Sequence, residues 1–252
     1  MIIDSNAYLG GDPFRELKYG NIKGLLKLLD RTGIDKSIVS SMKSIYHTNH
    51  ETGNLELFSK LKKYPNRFVG LACINPTFPG AIKFMHLCYS KFGFRGLKLH
   101  PNYHGYRLTD EVSLKLIEES AKLDWPVHIQ MRMKDERMQH FLMQVAGTPV
   151  KDVLSVAELF PKVKFILGGT KPRELPETYK YGNVYFENSF VSGPQNIIRE
   201  MVKQVGSARI LFGTHMPLLY PEAALLMIRM ADISEEDRKR ILGENCKNIY
   251  SL

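Results

Sequence analysis

The chain has 252 residues, 44% of them hydrophobic and 24% charged, with a formal net charge of +9. That length and balance describe a folded α/β protein with a sizeable core, and its longest apolar runs, such as AALLMI (223–228), are too short to cross a bilayer. The basic residues are scattered, and the Arg238-Lys239-Arg240 cluster stands beside Glu235-Glu236-Asp237, so the charge reads as a lysine-rich surface and no nucleic-acid partner is expected.

In chain order, strand-length apolar runs are MIID (1–4), KSIVSS (36–41), RFVGLACI (67–74), RGLKLH (95–100), PVHIQM (126–131), KFILGG (164–169), NVYFEN (183–188) and RILFG (209–213). Helical patterns fall between them at 22–32, 54–64, 81–92, 110–123, 150–160, 195–205 and 221–231. The piece after the sixth strand is broken by Pro172 and Pro176, which predicts a weak helix at best. A last helix is expected to begin at Ser234, with Glu236 and Asp237 in its first turn. The segment 41–54, SMKSIYHTNHETGN, reads as a loop over one end of the sheet.

Strands alternating with helices, most of them apolar on both faces, predict a parallel sheet covered by helices. At this length the natural closure is a (β/α)8 TIM barrel forming a single domain over residues 1–252. A doubly wound open sheet is the runner-up, weakened because no Gly-x-Gly-x-x-Gly follows the first strand. Cys73, Cys88 and Cys246 are isolated and odd in number, which suits a reducing compartment. No basic-then-apolar leader opens the chain, so a cytoplasmic location is expected. Nothing specifies an oligomer, although barrel exteriors of this kind support a homodimer.

Phrases along nearly the whole chain resemble the amidohydrolase superfamily, in its amidohydrolase-related (amidohydrolase 2) branch. They include MIID, GIDKSIV, RFVGLACINP, FRGLKLHP, AKLDWPVHI, FPKVKFILGG, YGNVYFENS, SARILFGTHMP and RKRILGENCKNIY, in that order. The resemblance implies a TIM barrel with chemistry at the carboxyl ends of the strands, as a metal-dependent hydrolase, decarboxylase or lactonase. It also implies metal ligands at positions where this chain has Asn6, Tyr8, Gln130, Gly169 and His215. A catalytic zinc takes about three nitrogen, sulfur or carboxylate ligands and an open position for water, which amides, a phenol and a glycine do not supply. The expectation is therefore no metal and no other cofactor. A site rebuilt from His100, His128 and His215, with Glu187 nearby, is the alternative.

The strand ends carry a polar, mostly basic set: Asn6, His100, His128, Gln130, Arg132, Lys171 and Glu187 as candidate substrate-binding residues, and His215, Tyr8 and Lys98 as candidate catalytic ones. Convergent cations favour a small anionic partner, a carboxylate above all. His215 is the candidate base, with Lys98, Arg132 or Tyr8 placed to stabilise an oxyanion. Two functions compete. One is a metal-independent hydrolase, lactonase-like enzyme or lyase acting on a small anion. The other is a non-catalytic descendant that binds a small molecule or a paralogous partner. The Met131, Met133, Met138 and Met143 cluster suggests an adaptable lid, a core or an interface.

Overall fold

A computed structural model of the protein describes residues 1–191, 193 and 196–252, apart from the side chain of Met138. The strands are β1 (Ile3–Leu9), β2 (Lys36–Ser41), β3 (Phe68–Gly70), β4 (Ala72–Cys73), β5 (Leu97–Leu99), β6 (Val127–Gln130), β7 (Phe165–Gly168), β8 (Val184–Glu187) and β9 (Ile210–Leu211). They pair in parallel in sequence order, β1 to β3 and β4 to β9. β3 and β4 are halves of one expected strand, bridged at Leu71, whose N–H donates to Val39 O at 2.9 Å. Closure is direct: Ser5 N–H donates to Phe212 O at 2.8 Å and Tyr8 N–H to Met216 O at 2.9 Å. The sheet is thus a closed (β/α)8 barrel, and the open doubly wound alternative falls away.

The pleat sorts side chains by parity. Leu97, Leu99, Val127, Ile129, Phe165, Leu167, Val184 and Phe186 join the main apolar cluster under the surrounding helices. Ile3, Ile38, Leu71, Ile166 and Leu211 form a separate apolar layer with Cys246, Ile249 and Tyr250 of the last helix (Asn245–Tyr250). The alternate positions nearer the carboxyl ends are polar, among them Lys98, His128, Gln130 and Glu187, all fully buried.

β1 extends past the expected end at Asp4, because buried Ser5 and Asn6 are strand residues, and its register shifts between Asp4 and Ala7. Ile3 lies in the lower layer, while Asn6 and Tyr8, at and beyond the irregularity, bond to Lys98 and Gln130 of the polar layer. Elsewhere local chemistry sets the ends. Asn21 caps the helix Ile22–Thr32 by accepting from Gly24 N–H at 2.9 Å, and Gly33 closes it at φ 71°. Ser234 Oγ accepts from Asp237 N–H at 3.1 Å, starting the expected last helix. The proline-broken segment forms only short 3₁₀ turns, Pro172–Glu174 and Pro176–Thr178.

Segment 41–54 is not a loop. It holds the helix Lys43–Tyr46 and the start of the helix His50–Leu61, capped by Asn49. Gly53, read as a loop residue, lies inside that helix, where the close approach of Ser41 and Ser44 leaves no room for a Cβ. His50 is buried edge-on to Phe78 and Phe84, with centroids 5.0 and 5.5 Å away. Among the described residues no helix is long and apolar enough to cross a membrane.

Candidate functional site

The buried polar layer is built around Lys98. Its Nζ donates to Asn6 Oδ1 and to Gln130 Oε1, each at 2.9 Å, and lies 5.2 Å from the centroid of the Tyr8 ring. The Asn6 amide faces two ways: its Nδ2 donates to Glu187 Oε1 at 3.2 Å and approaches Gln130 Oε1 at 3.3 Å. Glu187 Oε1 also accepts from Gly169 N–H at 2.9 Å and Ser189 Oγ at 2.7 Å, and its Oε2 accepts from Ser189 N–H at 2.7 Å. An ammonium and a carboxylate are thus joined through an amide. Burial pulls the Lys98 ammonium down to about 7, against the opposing pull of Glu187, Cys73 and Asp4.

The Tyr8 hydroxyl donates to Gln130 Oε1 at 2.9 Å and meets His100 Nε2 at 3.2 Å, while His100 Nδ1 lies 3.4 Å from Cys73 Sγ. Burial holds Tyr8 well above, and His100 well below, their ordinary values. His128 is fully buried with neither ring nitrogen bonded among the described residues, and burial holds its pKa well below the ordinary histidine value. Gly168 makes room for that ring, since a Cβ there would stand 2.6 Å from Nε2.

His215 sits at φ 55° with its N–H donating to Asn6 O at 2.7 Å. Its Nε2 faces Met133 O at 2.9 Å, so the network assigns the ring proton to Nε2 and leaves Nδ1 facing Asn6 Nδ2 at 3.4 Å. Burial lowers its pKa to about 3. The expected base near neutrality is therefore a neutral imidazole whose proton is already committed. Asp4, absent from the expected set, is fully buried and accepts from Asn6 N–H, Thr214 N–H, Ser37 Oγ and Thr214 Oγ1. Burial outweighs those bonds and raises it to about 6.

Arg132 and Lys171 stand apart from this layer. Arg132 donates to Glu174 through both terminal nitrogens at 2.7 and 2.6 Å and to Gly169 O at 2.7 Å. Lys171 Nζ donates to Glu136 at 2.6 Å. These pairs tie the segment after β6 to the segment after β7.

Above the layer lies a cavity of about 950 Å³. Phe14, Tyr46 and Tyr103 give it an edge-to-face aromatic wall, with centroids 6.0 and 5.6 Å apart. Met133, Phe190 and Leu218 line it where it meets the polar layer, and the Phe190 ring stands 5.0 Å from that of His215. Arg15, Lys134 and Arg137 supply cations. Asn6, Tyr8, Lys98, His100, His128, Gln130, Arg132, Lys171, Glu187 and His215 are not among its described lining residues. Sequence reasoning gathered most of the buried layer but little of the cavity wall: Phe14, Arg15 and Tyr103 carried no signal, and Tyr46 fell in the segment read as a loop over one end of the sheet. Of the methionine cluster, Met133 and Met143 line the cavity, while Met131 is core.

The donor set does not fit a catalytic divalent metal. Asn6 Oδ1 and Gln130 Oε1 are already turned on an ammonium. Gly169 has φ 72°, and a Cβ on it would collide with the Arg132 carbonyl oxygen. His100 and His215 face Tyr8, Cys73, Asn6 and Met133 rather than a shared point. Among the described residues no group of three or more His, Cys, Asp or Glu side chains is placed to hold a metal ion, so the rebuilt set is not assembled.

Comparison with known proteins gives the same barrel. The structure is similar to 5-carboxyvanillate decarboxylase from Sphingomonas paucimobilis, with TM-score 0.78 at 15% identity, covering 100% of this chain and 99% of that one. It is similar to 2,6-dihydroxybenzoate decarboxylase from Rhizobium, with TM-score 0.75 at 18% identity, covering 100% and 99%. It also matches 4-oxalomesaconate hydratase from Rhodopseudomonas palustris, with TM-score 0.73 at 17% identity, covering 100% and 96%. The family described as Amidohydrolase matches residues 47–252. The chain belongs to the amidohydrolase family, in its amidohydrolase-2 branch.

Proposed function

We propose that this protein is a carboxylate-binding amidohydrolase-family barrel whose ligand sits in the mouth cavity, above a centre that works without a resident metal ion. One observation carries the reading: the candidate catalytic side chains form a closed network beneath the cavity, and none of them lines it. Aromatic walls with nearby cations suit a flat, singly anionic ligand. The solved neighbours named above are decarboxylases of carboxyvanillate and dihydroxybenzoate and a hydratase of oxalomesaconate, which supports a carboxylate as the ligand. Titration calorimetry with benzoate and hydroxybenzoates, before and after chelator treatment, tests the proposal. It expects binding that chelation leaves unchanged, and binding that appears only with added metal would overturn it.

A second reading is a metal-independent lyase or hydrolase with His215 as base. It is favoured by the contact of the His215 ring with two residues that line the cavity, the Met133 carbonyl at 2.9 Å and the Phe190 ring at 5.0 Å. Assays of carbon dioxide release and lactone hydrolysis separate the two. The enzymatic reading requires turnover that His215→Gln abolishes.

A further inference from the structure

We infer that the cavity takes a carboxylate whose apolar body is larger than one aromatic ring, an arylalkyl or two-ring acid, with Arg15 as the anchor of its head group. The inference rests on the carboxylate reading above and narrows it. Its first support is size. About 950 Å³ lies near the top of the range of roughly 300–1,000 Å³ in which drug-sized ligands bind. A single-ring acid leaves much of the apolar wall uncovered.

The second support is how the lining is distributed. Phe14, Tyr46 and Tyr103 present one continuous aromatic wall. Phe190, Met143 and Met227 also line the cavity, and unbranched methionines adapt to an irregular apolar body. One ring stacked on the first surface leaves the second without a partner.

The third support is charge. Asp12 is engaged by Lys134, with Nζ–oxygen distances of 3.0 and 2.8 Å, and Arg137 is engaged by Asp135 at 2.6 Å. Arg15 lies 3.6 Å from Asp12 and donates one terminal nitrogen to Leu218 O at 2.9 Å. It is therefore the least neutralised of the three lining cations, and a guanidinium is matched to a carboxylate.

The test is titration of the full chain with benzoate, 4-phenylbutyrate, 2-naphthoate and biphenyl-4-carboxylate, and with the neutral amide of the tightest binder. Each methylene newly removed from water is worth about fourfold in affinity, so the larger acids are expected to bind at least about tenfold more tightly than benzoate. Ala223→Trp, at an exposed cavity-lining position, is expected to erase that gain by filling the space the larger body needs. Benzoate binding as tightly as the larger acids would overturn the size inference and leave the carboxylate reading standing. Equal binding of acid and amide, or no binding by any acid, would overturn the carboxylate reading and this inference with it.

Discussion

Lys98 Nζ donates to Asn6 Oδ1 at 2.9 Å, and through that amide it is coupled to the Glu187 carboxylate on the far side. The ammonium is held by two amide oxygens, Asn6 Oδ1 and Gln130 Oε1. Removing the ammonium strands Glu187 as an unbalanced buried charge. Lys98→Met is therefore expected to destabilise the fold by about 3–5 kcal/mol, and adding Glu187→Gln should recover part of it. Chemical denaturation of the four variants of this cycle measures the coupling. Additive losses would show that the amide bridge transmits nothing.

The buried histidines make the fold acid-sensitive. His215 drops to about 3, and His100 and His128 fall well below the ordinary histidine value through burial. Their folded pKa values lie under the unfolded ones, so the unfolded chain binds more protons below about pH 6.5 and stability falls as pH falls. Each histidine contributes a slope of roughly 1.4 kcal/mol per pH unit in that window. Asp4, raised to about 6, opposes one of them between that value and the ordinary aspartate value of 3.8. Melting curves from pH 8 to 4.5 should show a plateau and then a steep decline, and a flat profile would sink the assignment.

Gly169 cannot carry a side chain where it stands. Its φ of 72° costs an L-residue about 1–2 kcal/mol, and a Cβ would also strike the Arg132 carbonyl. Gly169→Ala should lower stability by at least about 2 kcal/mol, and Gly169→His should not restore metal binding. Denaturation and elemental analysis of both variants provide the check.

Added zinc or manganese should leave the melting temperature of the chelator-treated protein unchanged, because a ligand stabilises only by binding the folded state. A dose-dependent rise that Glu187→Gln removes would contradict the donor-set argument.

Arg15→Gln should weaken carboxylate binding about tenfold, the scale of one charge-assisted hydrogen bond, with little change in stability because the side chain is half-exposed. Calorimetry and a melting curve on the same sample distinguish this from a folding defect.

The order of strands and helices was legible in the sequence because its signals are local. Parity along KLH or VHIQ and a cap such as Ser234 need only neighbours in the chain. The family resemblance rests on the same ordered phrases, and so does the list of polar strand-end residues. Their partners were not legible, because Asn6 and Glu187 meet across 181 positions and Lys98 and Asn6 across 92. The register shift in β1 between Asp4 and Ala7 leaves no periodic trace. The cavity is further from view still. Its aromatic wall comes from Phe14, Tyr46 and Tyr103, in segments that touch only after the barrel closes. The sequence by itself determined the barrel and most of the polar side chains that turn inward, missing Asp4 and adding Arg132 and Lys171, which pair outside the layer. Only tertiary structure decided which of them satisfy one another and which, like His128, find no partner among the described residues, since a buried polar atom must find its partner in space.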